Sequence, residues 1–135
     1  MERALFVVDS IAMAEPSMAD AVVVSGSHGG VSAARYVLAL PRRPFAVLFN
    51  DAGVGKDQAG IAGLLMLDRV GVIAVTYSHE SARIGDAADG LDSGVVSRVN
   101  GPAMQAGLRA GQRVSTVVQR LRVTAASPPA PPSSP

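Results

Sequence analysis

The sequence predicts an α/β fold, a single-domain three-layer sandwich on a short, mostly parallel sheet of about four strands. Three observations lead there. Near-continuous β-branched or aromatic runs recur without polar alternation, helical segments separate them, and glycine-bearing loops follow them. With 135 residues, 48% of them hydrophobic, the chain has room for one core and none for a second enzyme domain.

The expected strands are Ala4–Val8, Ala21–Ser25, Phe45–Phe49 and Val72–Tyr77. A helix is expected over Val31–Leu40, after a glycine pair and before Pro41, and another over Lys56–Val70, ending at Gly71. Strand alternating with helix implies parallel pairing through right-handed crossovers. The first connection, Ile11–Asp20, is short and holds Pro16, so a loop or a hairpin both fit and the direction of the first strand is open. Val95–Leu108 reads as helix but contains Gly101–Pro102, a pair expected to break or kink it. Val114, Val117, Val118 and Leu121 recur at helical spacing and predict a last amphipathic helix. The expected domain is residues 1–123, and 124–135, only Pro, Ser, Ala and one Thr, reads as a disordered tail.

Composition excludes several function classes. There is no cysteine, hence no disulfide framework, cysteine nucleophile or thiolate metal site. No apolar run approaches the roughly 18 residues of a membrane span, and the first residues do not read as a signal peptide, so the expectation is a soluble, cytoplasmic protein. The net charge of +1 is unevenly spread: residues 1–108 hold 8 basic and 11 acidic side chains, whereas 109–135 hold four arginines and no acid. Four arginines without aromatic neighbours, on an acidic body, make a poor nucleic-acid surface. Of the 12 basic residues, 11 are arginine and one is Lys56.

The chemistry-bearing residues collect in three segments that follow expected strands. These are Ser25–Gly30, Asn50–Asp57 and Ser78–Asp86, which hold both histidines and the only lysine. In open α/β sheets ligands bind beyond the carboxyl ends of parallel strands, so this concentration predicts a ligand site. Gly29 with Gly30, and Gly53 with Gly55, would allow backbone N–H groups to approach a carboxylate, phosphate or oxyanion, unless they serve only as tight turns. Named nucleotide loops do not fit. A Walker loop fails at Asn50 and Asp57, and the dinucleotide fingerprint fails at Gln58.

His28 is the expected proton carrier, against the alternative that its ring satisfies the turn backbone. Its Ser-His-Gly-Gly setting is similar to the histidine turn of caspase-like peptidases, an activity that the lack of cysteine excludes. Asp51 would orient His28 or act as a base. Lys56 would ion-pair with a substrate carboxylate or serve as a base, and Arg83 would clamp a carboxylate bidentately. Asn50 would donate to an oxyanion or hold a turn. Ser27 and Asp86 complete the expected binding set, Asp57 reads as a helix cap, and a metal site from His28, Asp51, His79 and Asp86 has no supporting spacing.

The phrases SGSHGG (Ser25–Gly30), FNDAGVGKDxAGI (Phe49–Ile61) and SARIGD (Ser81–Asp86), with Gly94–Asn100, resemble those of a family of small bacterial proteins. The resemblance spans about residues 5–115. It implies that the three loops form one unit and assigns no reaction. The function expected from the residues is a small-molecule enzyme, a hydrolase or lyase acting on a carboxylate or amide metabolite without a cofactor. The alternative is a non-catalytic module binding an anionic metabolite. A covered sheet on so short a chain also leads us to expect a homo-oligomer.

Overall fold

The computed structural model describes residues 2–123. The expected tail lies outside the described residues. Five strands form one sheet in the order β1 (Leu5–Val8), β2 (Val22–His28), β3 (Ala46–Asn50), β4 (Ile73–Tyr77) and β5 (Val96–Val99). The first four are parallel to one another, and β5 closes one edge antiparallel to β4. The α/β sandwich is therefore as expected, with one strand more than the four expected.

Side chains alternate between the two faces of the sheet, as the strand period of two requires. Val23, Val47, Phe49 and Ala74 face α1 (Val31–Leu38) and α2 (Ala62–Asp68), where they pack with Ala34, Val37, Leu64 and Leu67. Val22, Val24, Leu48, Val75 and Tyr77 face the opposite way. They are covered by α3 (Ala87–Ser93), α4 (Gly101–Gln105) and α5 (Val114–Val123) through Ala87, Ala103, Val117, Val118 and Leu121. Burial on both faces explains why the strands lack polar alternation.

Three departures from the expected elements have physical causes. The connection from β1 to β2 holds two short 3-10 turns, Ile11–Met13 and Pro16–Met18, and buries Ile11 and Met18 on the α1 face. That gives a parallel crossover and not a hairpin. The helix expected over Lys56–Val70 is reduced to a 3-10 turn at Lys56–Gln58 and α2, because Asp57 and Gln58 take positive φ. The helix expected over Val95–Leu108 is instead β5 followed by α4. Gly101–Pro102 begins α4, where the missing proline N–H has no intrahelical acceptor to lose.

Asn100 fixes that start. Its Oδ1 accepts from Ala103 N and Ala74 N, both at 3.1 Å, and its Nδ2 donates to the Val72 carbonyl at 2.9 Å. One buried amide thus caps α4 and ties it to β4. At the other end, Arg3 N donates to the Arg122 carbonyl at 2.8 Å and Arg122 stands 3.5 Å from Glu2. Part of the C-terminal positive charge is therefore docked on the N-terminal segment. No helix among the described residues is long and apolar enough to cross a membrane.

Candidate functional site at the strand ends

All three connections between the parallel strands run over one face of the sheet, and the strand order never reverses. The crevice that a reversal opens in doubly wound sheets is therefore absent, and any site must be built by the loops themselves. The loop after β2 starts from a bulge. From Val24 to His28 the strand advances four residues while β3 advances two, from Leu48 to Asn50. Gly26 lies in that bulge, where a Cβ would come within 2.6 Å of the Asp9 carbonyl and 2.7 Å of the Asp86 nitrogen. Its lack of a side chain lets the loops after β1 and β4 close on β2.

The loop after β3 is held from inside. Asn50 is fully buried; its Nδ2 donates to the Ala82 carbonyl at 3.0 Å and its Oδ1 accepts from Ala52 N at 2.8 Å. It therefore ties the second and third loops together and is not open to a substrate oxyanion. Ala52, Gly53, Val54, Gly55, Asp57 and Gln58 all have positive φ. For a β-branched residue such as Val54 that conformation is strained, costing on the order of 1–3 kcal/mol.

The N–H groups of the four site glycines are engaged within the protein. Gly29 donates to the Asn50 carbonyl, Gly30 to His28 Nδ1, Gly53 to Asp51 Oδ1 and Gly55 to the Gly53 carbonyl. Gly29 and Gly30 are needed for packing: a Cβ on either would lie 2.9 Å from the Gly60 or Ala59 carbonyl. The loop after β3 thus seats directly on the turn into α1.

Asp51 is 5% exposed and directs its carboxylate to His79, 3.2 Å from Oδ1 to the ring Nδ1. This corrects the expectation that it would orient His28. The same Oδ1 accepts from Gly53 N at 2.8 Å and His79 N at 3.1 Å. Burial pushes the Asp51 pKa upward, but hydrogen bonds from the Ser97 side chain, the two backbone groups and the His79 ring outweigh it, leaving it below the ordinary value. Ser97 reaches the site from β5 and is itself 3.0 Å from the Thr76 hydroxyl. The His79 side chain is 49% exposed. Three atoms of its ring lie 3.5–3.6 Å from where a Gly53 Cβ would be, so the ring lies face-on over Gly53.

His28 has a different setting. Its Nδ1 accepts the Gly30 N–H at 3.1 Å, and a backbone N–H can only donate. In the neutral ring the proton is therefore on Nε2. With Ser27, whose hydroxyl accepts from Ile11 N at 2.9 Å, His28 lines a cleft of about 280 Å³ over the ends of β1 and β2. Asp9, Ser32, Tyr36 and Ile84 line it too.

The remaining expected residues are dispersed. Lys56 and Arg83 are exposed, Lys56 makes no ion pair among the described residues, and Arg83 is anchored by its backbone N–H, 2.7 Å from Asp89 Oδ2. Asp86 caps α3 by accepting from Asp89 N at 3.0 Å. Among the described residues no three His, Asp or Glu side chains converge to hold a metal, so His28, Asp51, His79 and Asp86 do not form one centre. The residue given too little weight by sequence reasoning is His79. The sequence signal was only that His79 stands two residues past β4, in one of the three polar segments; its partner came from the fold.

No family model, curated protein or solved structure matches the chain.

Proposed function

We propose that the protein is a small-molecule enzyme, a hydrolase or lyase, in which His79 carries the proton and Asp51 orients it. The observation that carries this reading is the Asp51–His79 pair: Nδ1 is held 3.2 Å from a buried carboxylate while half of the side chain remains exposed. An ionised Asp51 takes the Nδ1 proton as a hydrogen bond. That leaves the Nε2 lone pair as the basic atom, facing away from the carboxylate. The ring is thereby fixed in one tautomer before substrate arrives, which is what general acid/base transfer requires.

A carboxylate or amide metabolite is the proposed substrate class. Lys56 and Arg83 are exposed cations on the loops after β3 and β4, available to an anionic group on such a molecule. The strained backbone between Ala52 and Gln58 supports the reading, because strain of this kind gathers at working sites.

The test is turnover across panels of small amides and carboxylic acids with the wild type, His79→Gln and His28→Ala. The expected result is an activity lost in His79→Gln by about 100-fold or more. Activity unchanged by His79→Gln would remove the pair from the mechanism. Saturable binding with no chemical change in any ligand would favour the non-catalytic module.

A further inference from the structure

The cleft over the ends of β1 and β2 presents a specific set of groups. His28 Nε2–H is a donor of fixed tautomer, since Nδ1 is occupied by Gly30 N–H. Asp9 lies in the cleft with one oxygen, Oδ1, accepting from Ala87 N at 3.0 Å. Tyr36 and Ile84 are 49% and 50% exposed and supply apolar surface, and Ser32 adds a hydroxyl. At about 280 Å³ the space falls just below the range of drug-sized ligand pockets, which begins near 300 Å³, and suits only a small molecule.

The electrostatics disfavour an anion there. Asp9 puts a carboxylate in the lining of the cleft, and among the described residues no lysine or arginine lines it to offset that charge. The glycine N–H groups at 29 and 30, which would otherwise compensate a negative ligand, are already bonded. What the cleft offers is the His28 donor, the Asp9 acceptor, serine hydroxyls and apolar walls.

We infer that this cleft binds a small neutral ligand through a planar amide or lactam group. Its carbonyl oxygen accepts from His28 Nε2–H, its N–H donates to Asp9, and its apolar part lies against Tyr36 and Ile84. The inference rests on the proposed reading that the strand ends bind a small molecule, and it narrows the class to amides at this cleft. His28 then donates to the carbonyl through Nε2–H, with Nδ1 held by the Gly30 N–H, and does not serve as the base.

The experiment is titration of the full chain, ¹⁵N-labelled, with benzamide and with benzoate, following the His28 and His79 ring signals and the Tyr36 ring by NMR. Benzamide is expected to shift His28 and Tyr36 saturably, with affinity on the order of 1 mM for so small a probe. Benzoate is expected to bind at least tenfold more weakly. Asp9→Asn keeps the acceptor for Ala87 N–H and is expected to reduce that preference, while Tyr36→Ala, at a half-exposed position, is expected to abolish the benzamide shift without unfolding the chain. No saturable shift at His28, equal or tighter binding of benzoate, or unchanged binding by Tyr36→Ala would each overturn the inference. Shifts at His28 without turnover would leave it standing and sink the enzyme reading; turnover that needs His79 without binding at His28 would do the reverse.

Discussion

Gly60 and Asp51 are in backbone contact: a Cβ at position 60 would fall on the Asp51 carbonyl. The loop after β3 closes through this approach, with Gly60 N donating to the Val54 carbonyl at 2.7 Å. Gly60→Ala is therefore expected to destabilise the protein by about 1–3 kcal/mol through overpacking. It should also displace Asp51 from His79. Urea unfolding measures the first effect and the His79 ring signals the second; a variant with wild-type values for both would show the loop to be more yielding than its packing implies.

Asp51 sets an acid limit. Its folded pKa lies below the ordinary value, so its contribution to stability is complete above the unfolded pKa near 3.9 and is lost as pH falls through the folded value. Asp51→Asn should lower stability at neutral pH and flatten the stability profile below about pH 4. Thermal unfolding at stepped pH tests this, and parallel wild-type and variant profiles would contradict it.

Tyr77 sets the alkaline limit. Its hydroxyl donates to the Ser25 carbonyl at 2.7 Å in a fully buried position. Burial, then the charges of Asp86, Asp89 and Asp9, push its pKa upward. Stability is thus complete below the unfolded value near 10 and falls as pH rises above it, because only the unfolded chain ionises there. Tyr77→Phe should lack this loss, at the cost of leaving the Ser25 carbonyl without its donor. The ratio of the two stabilities across pH 9–11 is the measurement.

Asn100→Ala removes a helix cap and leaves the buried Ala74 N–H and Val72 carbonyl without their side-chain partner. Together these should cost about 2–4 kcal/mol. Asn100→Asp, which keeps the acceptor and loses the donor, should fall between. A loss under about 0.5 kcal/mol for the alanine variant would mean that water replaces the amide.

The layers of the fold were legible because strands buried on both faces leave unbroken apolar runs, as in Val22–Val24 and Ala46–Phe49. β5 was not. Val96-Ser97-Arg98-Val99 is an edge strand with one solvated side, and its four residues run on into Gly101–Pro102 as though part of one helix. At the site, the gathering of polar residues at strand ends could be read from the sequence, but the pairing of Asp51 with His79 in place of His28 could not. That choice depends on Asp51 N bonding to the Tyr77 carbonyl at 2.9 Å, which aims the turn toward β4. The glycines misled for a related reason. Their spacing suits an anion cradle, yet in the fold their N–H groups close the loops on one another.

The sequential strand order also dictates a schedule of synthesis. Everything through β4 winds over one face, so Val22, Val24, Leu48 and Val75 have no cover on the other until α3 to α5 emerge. At about 5–20 residues per second, translating residues 87–123 takes several seconds. For that interval the nascent chain carries half of its core uncovered on the outside of a parallel sheet. Aggregation during translation is therefore governed by the last third of the chain, and a stop codon placed before α5 would leave an insoluble fragment that still contains every residue of the proposed site.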